Sequence, residues 1–424
     1  MIRALKHIFP EIFTIFVVVG QWRLVEKPFL APIYHKRTLQ NHELIMKNVF
    51  KFLRSIVIGM LIGFCLVLAG FALFSDRPIA ELMNAIVSVD MVVTMIASFM
   101  AVILALVMQT LLHEAGHLLF GLLTGYRFVS FRIFNFTIIN KEGRFTVKRY
   151  SVLGTAGQCL MSPPANKPLH EAPYALYNLG GVIVNITVST IALVALLMID
   201  RDNCGPFTIM FLSFTVLSGL VLTFLNGIPM KIGGMPNDGF NGLYLGRSTN
   251  GRVCFGRQLL INEQLQNGVR LRDMPQEWFE ILDINYEDPL QLNVAIMKAS
   301  RLIDSYDFAG ALKELEHLSE PAKKFIIFNR EVDSELVFLY LVSGDVDKAK
   351  ALYTKQLEAY VMHYAKTMSS KDRVRFALAL YADNNPERAL RLINNLKNHA
   401  HCYLLQGEVE SDLAIMNHLL NAKA

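Results

Sequence analysis

Cysteine pairs are missing from this chain. Its five cysteines (Cys65, Cys159, Cys204, Cys254 and Cys402) are scattered, with no CxxC among them. That scatter indicates neither a disulfide framework nor a Cys-rich zinc site. Charge is scarce as well: Asp, Glu, Lys and Arg make up 18% of the residues, against roughly 25% in an ordinary soluble chain. A cleavable signal peptide is not indicated either. The apolar run Ile12–Val19 follows Pro10 and Glu11, is too short to span a bilayer comfortably and lacks a small-residue cleavage site. It reads as an interfacial segment.

What is abundant is apolar residue, 53% of 424 positions, which fits an integral membrane protein with an attached soluble part. A spanning helix needs about 20 mostly apolar residues, and four stretches qualify: 50–74, 91–117, 176–199 and 207–229. The net charge of +5 matters through its placement. Residues 1–54 hold nine Lys and Arg, the connection 126–174 holds seven, and the connections 75–90 and 200–205 hold only Arg77 and Arg201. By the positive-inside rule both termini face the cytoplasm. The second span then runs inward, and its last turns reach the cytoplasmic side.

Those last turns read LLHEAGHLLF (111–120). Charge at the centre of a spanning helix costs roughly 2.5–3.5 kcal/mol per residue, so His113, Glu114 and His117 need a reason to be there. On a helix, positions i and i+4 share a face, which lets His113 and His117 offer two imidazole nitrogens to one metal ion. Glu114 beside them is placed to hold a metal-activated water and move its proton. Ala115 and Gly116 leave room for a substrate backbone. This is the HExxH pattern of zinc hydrolases, and ionisable residues inside spanning segments are rare and usually functional.

A catalytic zinc needs a third protein ligand and an open position. Asp238, in NGIPMKIGGMPNDGFNG (226–242), returns to the cytoplasmic side after the fourth span, and the Pro and Gly residues around it let the backbone bend. The same residues would equally make an ordinary Asn-Asp-Gly turn.

An HExxH on a membrane helix followed by a later Asp-Gly resembles the site-2 protease family of intramembrane zinc metalloproteases. Asn226, Pro229, Asp238 and Gly239 match the family's Asn-x-x-Pro and Asp-Gly arrangement, and Gly181 and Asn185 match its Gly-x-x-x-Asn. The likeness covers residues 91–242. It implies one zinc ion held by His113, His117 and Asp238, with Glu114 as the base. It also implies that Asn185, and with it Asn226, stands near the scissile peptide and steadies an oxyanion. The chain departs from the pattern in having Asn237 before the Asp-Gly pair and Val182 after the helical glycine. Neither extracytoplasmic connection is long enough for an inserted peptide-binding domain.

Between these elements, YRFVSFRIFNFTIINKEGRFTVKRY (126–150) alternates as a β-hairpin with its turn at Lys141-Glu142-Gly143. One of its edges could hold an unwound substrate as an added strand; the same hairpin would equally lie passively at the interface with its Lys and Arg on lipid phosphates. Residues 152–168, rich in Gly and Pro, read as a loop or partial re-entry.

Beyond residue 243 the composition turns soluble. Helical patterns recur at 306–315, 344–353, 384–393 and 407–416, and in the first three a turn precedes an alanine that opens an apolar face: Ala311, Ala349 and Ala389. Spacings of 38 and 40 residues lie near the tetratricopeptide period of 34. The fourth pattern arrives early, as a truncated cap. Such arrays usually offer a concave surface to a protein partner. His399, His401 and Cys402 resemble a metal cluster, but i and i+2 point to different helix faces.

The expected fold is therefore mainly α: a polytopic bundle of about four spanning helices with a membrane-associated β-hairpin, plus a cytoplasmic helical-repeat domain. Its expected divisions are a segment 1–47, a membrane metalloprotease domain 48–242, a linker 243–288 and a tetratricopeptide-like domain 289–424. The leading expectation is an endopeptidase, with Zn2+ as cofactor, in a multi-pass membrane protein of a bacterial cell membrane. It acts on membrane-anchored proteins or small peptides near the cytoplasmic face. The alternative is a vestigial membrane scaffold that recruits cytoplasmic partners through its repeats. Nothing points to nucleic acid.

Overall fold

The computed structural model describes residues 89–141, 143–150, 155–200, 204–232 and 234–423. The expected segment 1–47 and the first expected span lie outside these residues. The chain divides into two compact units, 1–91 and 92–424, and the second, together with the first turn of its leading helix, is described here. It is mainly helical, with a small antiparallel sheet.

Three helices are long and apolar enough to cross a membrane. They are α1 (Val89–Leu123), α2 (Ala175–Met198) and α3 (Pro206–Gly227). They are apolar all round, as a helix surrounded by lipid must be. Phe99, Leu123, Ile191, Leu197 and Phe224 are exposed on the protein surface, while Gln109, Asn185, Ser189 and Thr215 are buried between the helices. Glycine brings α1 and α2 together: a Cβ on Gly116 would stand 2.4 Å from the carbonyl oxygen of Gly180, and the reverse holds for Gly180. Small residues at such crossings let backbones touch, which is how apolar helices associate in lipid. Helix α1 does not stop at HEAGH but runs on to Leu123. There Gly125, at φ +90°, ends it, and the Tyr126 N–H closes back on the Gly121 carbonyl at 2.9 Å.

The sheet has the order β3-β2-β1-β4, built from β1 (Arg127–Ile133), β2 (Phe136–Lys141), β3 (Arg144–Arg149) and β4 (Gly157–Ser162). It differs from the expected hairpin in two ways. The long first strand breaks at Phe134 (φ +53°), so Phe134 and Asn135 form a turn and the expected hairpin becomes three strands. The break is held by the Phe134 N–H on the Ala156 carbonyl, 2.7 Å, and by Arg132 Nη1 donating to the Phe134 carbonyl, 2.9 Å. The turn at Gly143 (φ +82°) falls where expected. Second, the expected loop 152–168 contains β4, antiparallel to β1. Cys159, Leu160, Met161 and Ser162 are all buried, so the strand has no apolar–polar alternation to reveal it.

After α3 a two-residue hairpin, β5 (Lys231–Ile232) and β6 (Met235–Pro236), leads into α4 (Asp238–Tyr244). The stretch 243–288, expected as a linker, instead carries α5 (Thr249–Gln266), which packs on β4. Its buried face includes Gln258 and Gln266 beside Cys254, Leu259, Ile261 and Leu265, which blurs the apolar period that marks a helix.

The remainder is helical: α6 (Pro289–Asp304), α7 (Phe308–Ala322), α8 (Ile326–Val342), α9 (Val346–Leu352), α10 (Lys355–Tyr364), α11 (Ser369–Ala377), α12 (Pro386–His399) and α13 (Gln406–Lys423). The three alanines expected to open helix faces are each wholly buried, and one local device precedes each. A residue at positive φ (Tyr306, Gly344, Asn384) is followed by a capping Asp307, Asp345 or Asn385. The cap side chain accepts from the N–H three residues on, and its carbonyl accepts from the alanine four residues on. The expected truncated fourth unit is a full helix, α13, packing on α11 and α12 and also back on α5 and α6. Ser411 Oγ on Asp304 Oδ1, 2.5 Å, and Arg373 Nε on Asp412 Oδ1, 2.6 Å, tie it to α6 and to α11. Asn385→Ala removes a capping acceptor without touching the core, and should lower the stability of the helical part by about 1 kcal/mol. An unchanged denaturation midpoint would show that this cap contributes nothing.

Candidate metal centre

His113 and His117 stand one turn apart on α1, with their imidazole planes at 85°. Each ring is held by its Nδ1: that of His113 donates to Asn185 Oδ1 at 2.6 Å, and that of His117 to the Tyr177 carbonyl at 2.8 Å. Tyr177 offers a carbonyl and therefore only accepts. The Asn185 amide is oriented as firmly, because its Nδ2 lies 3.0 Å from the Gln109 main-chain carbonyl and 2.7 Å from Gln109 Oε1. Both Nδ1 atoms thus bear the proton, and in neutral imidazoles both Nε2 atoms present lone pairs. Those two Nε2 atoms face each other at 3.2 Å.

Asp238 completes a triangle. Its Oδ2 lies 3.1 Å from His113 Nε2 and 3.3 Å from His117 Nε2. The residue is placed by its neighbours. Asn237 caps α4, its Oδ1 accepting from the Phe240 and Met230 N–H groups, both at 3.0 Å. Its Nδ2 donates to the carbonyls of Leu225 (2.9 Å) and Ile228 (2.7 Å), tying the loop to the end of α3. Gly239 must be glycine in this arrangement, since a Cβ there would stand 2.1 Å from the Gly227 carbonyl oxygen. The Asp-Gly pair is therefore one packing device: the glycine lets α4 approach the end of α3, and the aspartate is delivered to the histidines.

The donor set fits a metal ion. Three buried or half-buried ligand atoms lie within 4.8 Å of one another, and two lone pairs and an anionic oxygen converge at 3.1–3.3 Å. Tetrahedral zinc with bonds of about 2.0–2.1 Å separates neighbouring ligand atoms by about 3.3 Å. With no metal ion or proton shared among them these atoms would repel. Among the described residues, no other group of His, Cys, Asp and Glu converges in this way.

No family model, curated protein or solved structure matches the chain. The chemistry of the centre rests on its own geometry.

Glu114 lines the same cavity as the triad, a space of about 500 Å³. One wall is formed by Thr155 and Ala156 and the first residues of β4, Gly157, Gln158 and Cys159. Gly157 lies so close to the carboxylate that a Cβ there would stand 2.5 Å from Glu114 Oε1. Arg132, only 1% exposed, clamps this wall by donating to the carbonyls of Thr155 (3.2 Å) and Gly157 (3.3 Å) and to Thr155 Oγ1. The Cys159 carbonyl accepts from the Tyr177 hydroxyl at 2.9 Å. Leu222, Leu225, Tyr177 and Phe255 supply the apolar lining.

Asn226 lines the cavity, with its Nδ2 on the Leu222 carbonyl at 3.1 Å. Asn185, expected beside a scissile peptide, is wholly buried and does not line the cavity. With both Nδ2 contacts on Gln109 and its Oδ1 on His113, it has no donor left for an oxyanion. Sequence reading missed Gln109, Arg132, Tyr177 and Phe255. Gln109 leaves a usable signal, a large amide one turn before HEAGH in an apolar helix. Tyr177 acts through its carbonyl and leaves none. The trio His399, His401 and Cys402 forms no metal cluster: His399 Nδ1 is on its own helix, at the Asn395 carbonyl.

Proposed function

We propose that this chain is an intramembrane zinc metalloendopeptidase that hydrolyses peptide bonds of membrane-anchored proteins or small peptides near the cytoplasmic face. The observation that supports the reading best is the convergence of two Nε2 lone pairs and a carboxylate oxygen beside a fourth group, Glu114, that is not part of the triangle. His113, His117 and Asp238 would hold the ion. Bound zinc supplies Lewis acidity and brings the pKa of a water toward ~7. Glu114 accepts a proton from the attacking water and returns it to the leaving amine. Asn185 positions His113, in place of the oxyanion role the family likeness implied. Asn226 remains beside the cavity for the substrate carbonyl.

A spanning substrate hides its peptide groups in its own helix, and each group freed in lipid must find another partner. The β4 wall offers backbone groups on the side away from β1, next to Glu114, where an extended segment can add as a strand. The positive-inside distribution of Lys and Arg supports an opening toward the cytoplasm. The test is cleavage of single-span reporter peptides by membranes containing the full chain. A zinc chelator should abolish cleavage and added Zn2+ should restore it. Cleavage that survives the chelator would eliminate the metalloenzyme reading.

A further inference from the structure

Gln109 is 0% exposed, in the middle of a helix made for lipid, and the chemistry proposed above does not use it. A buried amide is tolerated only where its polar atoms are hydrogen-bonded, and here all of them are. Oε1 accepts from Asn185 Nδ2 at 2.7 Å. Nε2 donates to the Thr215 carbonyl at 2.9 Å and to Ser189 Oγ at 3.3 Å. The main-chain carbonyl of Gln109 takes a second contact from Asn185 Nδ2 at 3.0 Å. Gly219 makes the space: a Cβ there would stand 2.0 Å from Ser189 Oγ and 2.4 Å from Gln109 Nε2. One side chain of α1 thus reaches α2 through Asn185 and Ser189, and α3 through Thr215.

The direction of these bonds has a chemical result. Asn185 can turn either face of its amide toward His113 Nδ1, and the two faces ask for opposite tautomers. With Oδ1 facing the ring, Nδ1 holds the proton and Nε2 is free to bind a metal. With the NH2 facing the ring, the proton moves to Nε2 and ligation is blocked. Gln109 chooses between them, because its two oxygens can only accept and therefore take the NH2. It also joins the helix bearing both histidines to α3, which leads into the Asp238 loop.

We propose that Gln109 is a positioning residue for the metal centre: through the Asn185 amide it sets the His113 tautomer that binds the ion. The inference rests on the metal-site reading above. Partners beyond the ligands typically change metal affinity roughly 10- to 100-fold when removed.

The experiment measures zinc affinity by competition with a chromophoric chelator, on full-length protein in detergent, with the unfolding midpoint of the metal-free protein read in parallel. Gln109→Leu removes Oε1, the nearer of the two acceptors (2.7 against 3.0 Å), and should weaken zinc binding roughly 10-fold. Ser189→Ala, which removes a contact on the far side of the same amide, should leave it within about twofold, below that outer-shell range. The decisive variant is Asn185→Asp with Gln109→Leu. A carboxylate has no NH2 face, so it accepts from His113 Nδ1 without help, and zinc affinity should rise above that of Gln109→Leu; its second oxygen, which meets the retained main-chain carbonyl of residue 109, keeps it below wild type. A double variant as weak as Gln109→Leu, or a Ser189→Ala loss equal to it, would overturn the proposal in favour of general packing. So would a Gln109→Leu protein with normal affinity. A wild-type chain that binds no zinc would overturn this inference together with the proposed function. The expected affinities in a protein that cleaves no reporter would support the inference and sink only the peptidase reading.

Discussion

Glu114→Gln is expected to lose peptide cleavage by roughly 10²–10⁴-fold, the contribution of a positioned general acid–base group, while zinc stoichiometry stays at wild type. The substitution fits this site with little disturbance. Glu114 is 8% exposed and presses against the Gly157 backbone, so a shorter side chain would open a gap and a longer one would collide, whereas glutamine keeps the shape. What changes is chemistry: an amide cannot take the proton of an attacking water. Because Glu114 is not one of the three converging ligand atoms, the metal should remain. The measurement pairs reporter cleavage in membranes with zinc content of the purified protein. Processing at the wild-type rate would eliminate the peptidase reading, and loss of zinc together with activity would make Glu114 a ligand instead of a base.

Much of this centre is legible in the sequence because helical geometry is local. His113 and His117 must share a face once the segment is a helix, and three ionisable groups in an apolar run require an explanation in themselves. The alanine pattern of the helical part is legible for the same reason: a turn residue, a cap and a buried alanine fall within six positions, as at Asn384, Asn385 and Ala389. What is illegible depends on partners distant in the chain. Strand β4 exists because β1 pairs with it along one edge and α5 packs against it, which no period of its own residues encodes. The 35-residue helix α1 continues past its expected end, since nothing in GHLLFGLL breaks a helix before Gly125. Asn185 is the instructive case. Its spacing from Gly181 is plain in the sequence, but the direction of its amide follows from Gln109, 76 residues away. Position along the chain identifies a polar residue near the site; its hydrogen-bond partners decide whether it faces the substrate or the histidine.

The second large effect concerns the ligand that spacing alone left open. Asp238→Ala is expected to weaken zinc binding by more than about 100-fold, beyond what loss of an outer-shell partner costs, and to abolish cleavage with it. The residue supplies the anionic member of the triangle, and no other described His, Cys, Asp or Glu joins the two histidines. The loop should survive the change. Its conformation is carried by Asn237, whose side chain meets Phe240, Met230, Leu225 and Ile228, and by Gly239 against Gly227. Asp238→Ala thus isolates coordination from folding, and Asn237→Ala gives the complementary case, in which the loop loosens while the carboxylate remains. Zinc affinity and reporter cleavage measured on both variants separate these contributions. If Asp238→Ala keeps stoichiometric zinc and full activity, the third ligand lies elsewhere in the chain, and the 3.1 and 3.3 Å approaches to the two imidazoles are an ion pair of the apo protein. If zinc is lost while the helical part unfolds at its usual midpoint, the Asp-Gly turn is a ligand loop, and its glycine is required because α4 must start against the end of α3.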